Sequence, residues 1–149
     1  AHRLCHRRCG DYCGLKGAWM ADFQTVKSYV HELHLVIVHE DPAQHILVVE
    51  DDERGINHLV IDYEEPLLSF EQMILDVPAN PGDIFRRLLQ MNRTLVHGAF
   101  ALTEDGKQIL FRDTLRIEHL DLNEMQGTIE ALSLAMAEHA AELIGFSQR

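Results

Sequence analysis

Apolar positions recur along this chain in two rhythms. Phe23, Val26, Val30 and Leu33 fall at helical spacing behind Asp22, which predicts a capped helix over residues 23–33. The period then shortens. Leu35–Glu40, His45–Glu50 and Asn57–Tyr63 are short, β-branched runs. Asp41-Pro42-Ala43 and Asp51-Asp52-Glu53-Arg54-Gly55 separate them, the pattern of an antiparallel meander. Leu67–Val77 lies between Pro66 and Pro78 and mixes both rhythms. Phe70 and Ile74 suit a helix, whereas Leu75 and Val77 suit an extended chain; the prolines favour a fourth strand.

A second helix is expected after Asn80-Pro81-Gly82-Asp83, with Asn80 as cap and Pro81 at the first helical position. Ile84, Phe85, Leu88, Leu89 and Met91 give it an apolar face broader than one sheet contact requires. His97–Thr103 and Gln108–Asp113 flank Asp105-Gly106, a pair able to supply the positive φ of a tight hairpin. A last strand-like piece, Thr114–His119, precedes Asp121 and Glu124, which stand in capping-box spacing. Met125, Ile129, Leu132, Met136 and Leu143 mark the buried side of a final helix to about Ile144, with Gly145 as its stop. Strands grouped in runs with short turns imply an α+β domain. Its sheet is antiparallel and twisted, with helices at the start, middle and end.

Length and charge narrow the partners. The 149 residues suffice for one domain with a real core. No apolar run approaches a membrane span, and the first residues lack the apolar stretch of a secretory signal, so the expectation is a cytoplasmic protein. The net charge of −11 is uneven. Residues 1–19 carry Arg3, Arg7, Arg8 and Lys16 against Asp11, net +3, which leaves 9 basic against 23 acidic groups in residues 20–149, net −14. An acidic body repels phosphate backbones and excludes nucleic acid as the main partner.

Residues 1–19 also hold all three cysteines, Cys5, Cys9 and Cys13, near His2 and His6. That set could hold a soft metal or an iron–sulfur cluster, but it fits no paired zinc spacing. Met20 is followed at once by a clean helix opening. The first 19 residues are therefore expected to be a disordered tail or sequence upstream of the true start, with residues 20–149 as a single domain.

Catalytic signatures are absent. There is no phosphate-cradling glycine pattern and no nucleophile elbow, and residues 20–149 contain no cysteine. His31 and His34 stand three apart, not at metalloprotease spacing; His39, His45, His58, His97, His119 and His139 are scattered. Glu50–Glu53 and Asp62 with Glu64-Glu65 are dense carboxylates without the EF-hand pattern, and solvated turns explain them. Met73, Met91, Met125 and Met136 could form an adaptable surface, but their spacing favours core. Neither a catalytic group nor a metal or cofactor site is expected. The alternative is a small metal-binding or hydrolytic protein using the histidines and acidic turns.

The stretch from Leu88 to Leu143 resembles the type III secretion chaperone family of the Tir-chaperone type, and the YbjN-type bacterial proteins. The likeness rests on Leu88-Leu89-x2-Asn92 and on a strand with Phe100-Ala101-Leu102. It continues through the Asp105-Gly106 turn, a strand with Leu110, and Leu120-Asp121 before a long helix. The resemblance implies a homodimer without a catalytic centre, holding or regulating a partner polypeptide; the YbjN branch adds a regulator of sensory transduction. It places the dimer contact at Ile84, Leu88 and Met91 of the middle helix, with Phe100 beside them. The fourth strand adds material where secretion chaperones commonly proceed to the middle helix.

Overall fold

The computed structural model describes residues 20–149; the expected tail, with its cysteines, lies outside the described residues. The chain runs α1 (Phe23–Glu32), β1 (Val36–Asp41), β2 (Ile46–Asp51), a 3₁₀ turn (Asp52–Arg54) and β3 (Ile56–Glu64). It continues with β4 (Leu67–Asp76), α2 (Ile84–Asn92), β5 (Ala99–Leu102), β6 (Gln108–Arg116) and α3 (Leu122–Ser147). The strands form one antiparallel sheet of order β1-β2-β3-β4-β6-β5. The α+β architecture and the fourth strand agree with the sequence reading.

Local chemistry sets the ends of these elements. Asp22 caps α1 by accepting from the Thr25 N–H at 2.8 Å and the Thr25 hydroxyl at 2.7 Å. The helix stops where His34 takes a left-handed φ of 59° and Leu35 N–H bonds back to the Val30 carbonyl. Asp121 caps α3 through the Glu124 N–H at 2.8 Å. In the β5–β6 hairpin Gly106 supplies φ 72°, and Asp105 accepts from the Thr103 hydroxyl and the Lys107 N–H.

Three boundaries differ from expectation. α2 begins at Ile84, and Asn80 does not cap it. Gly82 has φ 56°, so Asn80–Gly82 is a turn before the helix rather than its first residues. The pieces Gln108–Asp113 and Thr114–His119 merge into one strand ending at Arg116, because β4 is long enough to pair with all of it. α3 runs through Gly145 to Ser147, since Phe146 is 3% exposed and its burial outweighs the glycine stop.

All three helices cover one face of the sheet. Phe23, Val26 and Val30 of α1 and Met125, Ile129 and Leu132 of α3 pack on Leu47, Val49, Leu59, Ile61, Leu68, Phe70, Phe111 and Leu115. A second cluster seats α2 at the β5 end, where Ile84, Leu88 and Met91 meet Phe100, Ile109, Ala135, Leu143 and Phe146. Each fully buried aliphatic side chain contributes about 1.5–3 kcal/mol. Buried Gln72 ties the β2–β3 turn to β4 by accepting from the Asn57 N–H and donating to the Gly55 carbonyl. No described helix is long and apolar enough to cross a membrane.

Candidate binding surfaces

The sheet has two edges, and the sequence treats them differently. At β5 the side chain of Asn92, the last residue of α2, bonds both the N–H and the carbonyl of Phe100. Those groups face away from β6, so Asn92 occupies the hydrogen-bonding positions an added strand would need at Phe100. At the other edge, among the described residues, β1 pairs with β2 alone, and no backbone bond from another element reaches it. A bulge between Ile37 and His39 leaves Val38 out of the register with β2; Val38 is 46% and Val36 62% exposed. Lys27 of α1 pairs with Glu40 and fixes that strand against the helix.

The second surface is an apolar groove between α2 and β5. Phe85, Leu88, Leu89, Phe100, Ala101 and Leu102 line about 230 Å³ of space. Leu89 is 70% exposed, Leu102 45% and Phe85 36%. Val96, on the loop beyond α2 and outside this lining, is exposed as well.

Of the four residues expected at a dimer contact, Leu88 and Phe100 reach this groove as its floor. Ile84 and Met91 do not; both are fully buried against their own sheet and α3. The outward apolar positions of α2 are instead Phe85 and Leu89, one residue along from Ile84 and Leu88. A helix with apolar residues on both turns does not announce which side meets the sheet. The exposed edge of β1 was equally hidden, because strand order is not written in the local pattern. The unbroken apolar run Leu35–Val38, where a half-buried strand would alternate, was the available signal.

Among the described residues, the groups suited to chemistry do not converge. Among the described residues no three His, Cys, Asp or Glu side chains gather to hold a metal. His34, His45, His58 and His119 sit at chain reversals or strand irregularities with positive φ. His45 stacks on Phe23 with centroids 4.9 Å apart, and His58 pairs with Glu50. Met91 and Met125 are buried as expected, whereas Met73 is half exposed on the uncovered sheet face.

Shifted acidities have structural causes. Thr25 holds Asp22 low by hydrogen bonding, Arg54 does the same for Asp51, Arg149 for Asp83 and Thr103 for Asp105. Arg87 grips Glu142 through two 2.9 Å bonds and lowers its carboxyl. Burial, then the Glu65 charge, pushes the Tyr63 phenol up. Each carboxylate sits in a cap, a turn or an ion pair, and the Tyr63 phenol donates to the Ala21 carbonyl.

Comparison with known proteins bears on the family and the fold. The CesT_Tir_1 family model matches residues 20–149. The fold is similar to that of YbjN from E. coli, with a TM-score of 0.61 at 13% identity over 83% of this chain and 94% of that one. It is also similar to a chain of the heterodimeric ExoU-SpcU complex from the type III secretion system of Pseudomonas aeruginosa. There the TM-score is 0.52 at 16% identity, over 74% of this chain and 91% of that one. No curated protein matches the chain.

Proposed function

The chain belongs to the CesT_Tir_1 family, and from that membership we propose that it is a non-enzymatic binding module. It pairs with a second copy of itself and holds or regulates a partner polypeptide in the cytoplasm. The ExoU-SpcU structure, a heterodimeric complex, supplies the precedent for this fold joined to another polypeptide.

The observation that carries the reading is the asymmetry of the sheet edges. Among the described residues the β1 edge has no partner beyond β2, and it lies beside exposed Val36 and Val38, the combination an extended polypeptide recognises by strand addition. The β5 edge is blocked by Asn92, which leaves the α2–β5 groove to side-chain packing. We assign that groove to the second copy. Leu88 and Phe100 contribute from the floor, Phe85, Leu89 and Leu102 form the contact, and Ile84 and Met91 support it from beneath. The acidic body, net −14, favours a partner segment with basic residues.

Co-purification from the native host with mass spectrometry tests the reading. The full chain is expected to retain one polypeptide that the Val36→Lys, Val38→Lys double variant releases. A polypeptide held equally by both, or none held at all, counts against it.

A further inference from the structure

α3 is apolar on its outer side as well as its inner one. Leu134 is 50% and Ile144 58% exposed, with Ala137 and Ala141 between them at i, i+3, i+7, i+10 spacing along the solvent side. The stripe continues into a groove between α3 and the irregular end of β4, lined by Ile74, Leu75, Met136, Ala140, Leu143 and Ile144. A helix that packs on one side only ordinarily carries polar residues on the other.

The rim is one-signed. α3 carries Glu124, Glu130, Glu138 and Glu142 and not one lysine or arginine. The adjacent 3₁₀ turn adds exposed Asp52 and Glu53, and Gly55 of the same turn packs on Met136. The arginines nearby are committed: Arg54 to Asp51, Arg87 to Glu142 and Arg149 to Asp83.

We propose that the outer face of α3 docks a basic amphipathic helix from a partner protein. A strand is a poor occupant, because the backbone groups of a helix interior are already bonded within it. A helix suits the surface: Ala137, Ala140, Ala141 and Gly145 allow the close approach of a second axis, and the β4-side groove receives one ridge of larger side chains. A second copy of this chain is disfavoured, since α3 brings glutamates and no lysine or arginine to the seam from either copy. Lysines or arginines flanking an apolar seam complement Glu130, Glu138, Asp52 and Glu53 instead. This surface is separate from the β1 edge and the α2–β5 groove, so the inference holds whether or not those surfaces act as assigned.

The test uses the full chain and two synthetic helical peptides of about twenty residues. They share a leucine seam and carry either lysine or glutamate elsewhere, and binding is read by fluorescence anisotropy. The lysine peptide is expected to bind at least about tenfold more tightly than the glutamate peptide, and to weaken with salt. Ala141→Arg and Leu134→Ser should each cut its affinity at least about tenfold with unchanged circular dichroism, while Val36→Lys with Val38→Lys leaves it intact. Non-specific attraction to an acidic protein would ignore Ala141→Arg, and that result overturns the proposal. So does equal binding of the two peptides, or a homodimer in sedimentation that Ala141→Arg splits.

Discussion

Both ends of one amide engage a single residue: Asn92 Oδ1 accepts from the Phe100 N–H at 2.7 Å, and Asn92 Nδ2 donates to the Phe100 carbonyl at 3.1 Å. A side chain at the end of α2 therefore acts as the missing neighbour strand of β5. Asn92→Ala removes both bonds and leaves two partly buried backbone groups unpaired, at a cost of about 1–3 kcal/mol. Urea denaturation measures that loss. Hydrogen exchange at Phe100 should accelerate in the variant, and the freed edge should make it more prone to self-associate. An unchanged Phe100 exchange rate refutes the clamp.

Two glycines with nearly equal φ separate backbone strain from crowding. Gly98 has φ 71° and Gly106 has φ 72°. A Cβ on Gly106 meets nothing within 4 Å, whereas one on Gly98 collides with Phe111 Cζ and lies 2.9 Å from the Arg112 carbonyl. Gly106→Ala should cost about 1–2 kcal/mol from the left-handed conformation alone. Gly98→Ala should cost distinctly more, because Phe111 is fully buried and has no room to retreat. Thermal unfolding of the two variants side by side gives the comparison; equal losses contradict it.

Much of this frame was legible beforehand, and the reasons are local. Asp22 and Asp121 cap helices through their own neighbours, Asp105-Gly106 turns on its own bonds, and the β2–β3 strands are bounded by polar turns. What escaped was decided by distant parts. Asn80 loses the cap because Gly82 adopts positive φ, and Gly145 fails as a stop because Phe146 finds a pocket against Ile84 and Leu143. On α2, the Ile84–Leu88–Met91 and Phe85–Leu89 rows are equally apolar, and only the position of the sheet tells them apart. The Asn92 clamp joins residues eight apart through a loop, a pairing that no periodicity encodes.

The left-handed residue after α1 is a histidine, His34, at φ 59°. Glycine adopts this conformation without the Cβ penalty, and the His34 side chain is exposed and contributes no burial. His34→Gly should therefore stabilise the fold by up to about 1 kcal/mol, as a small rise in melting temperature. A loss of stability would mean that the imidazole makes a contact worth more than the strain.

Acid should loosen specific joints. Asp22, Asp51, Asp83, Asp105 and Glu142 all have folded-state acidities below their ordinary values. A depressed carboxyl binds fewer protons in the folded than in the unfolded chain. Its contribution is present above the ordinary carboxylate range and is lost as pH falls through and below that range. Melting temperature should accordingly hold from pH 7 to 5 and drop toward pH 3. Glu142→Gln, which removes the carboxylate gripped by Arg87, should flatten part of that drop. An acid profile identical to the parent protein would show that the Arg87–Glu142 pair does not couple to folding.

Substitutions on two adjacent rows of α2 discriminate support from contact. Ile84 and Met91 are buried at 0% and 2% exposure within the subunit, so Ile84→Ala or Met91→Ala should cost about 2–5 kcal/mol through the cavity left behind. Leu89 is 70% exposed, so Leu89→Ala should leave the stability of an isolated subunit within about 0.5 kcal/mol. If the groove joins two copies, Leu89→Glu places a carboxylate in a dry apolar contact and should weaken self-association, read as a lower mass in sedimentation equilibrium. Val96, exposed on the loop beyond α2, supplies a control: Val96→Glu adds the same charge outside the groove lining and should leave the dimer intact. Should Leu89→Glu and the parent chain sediment alike as monomers, the groove is not a contact between copies. Should Ile84→Ala split a dimer without lowering the unfolding midpoint, the inner row makes the contact and the burial argument is wrong.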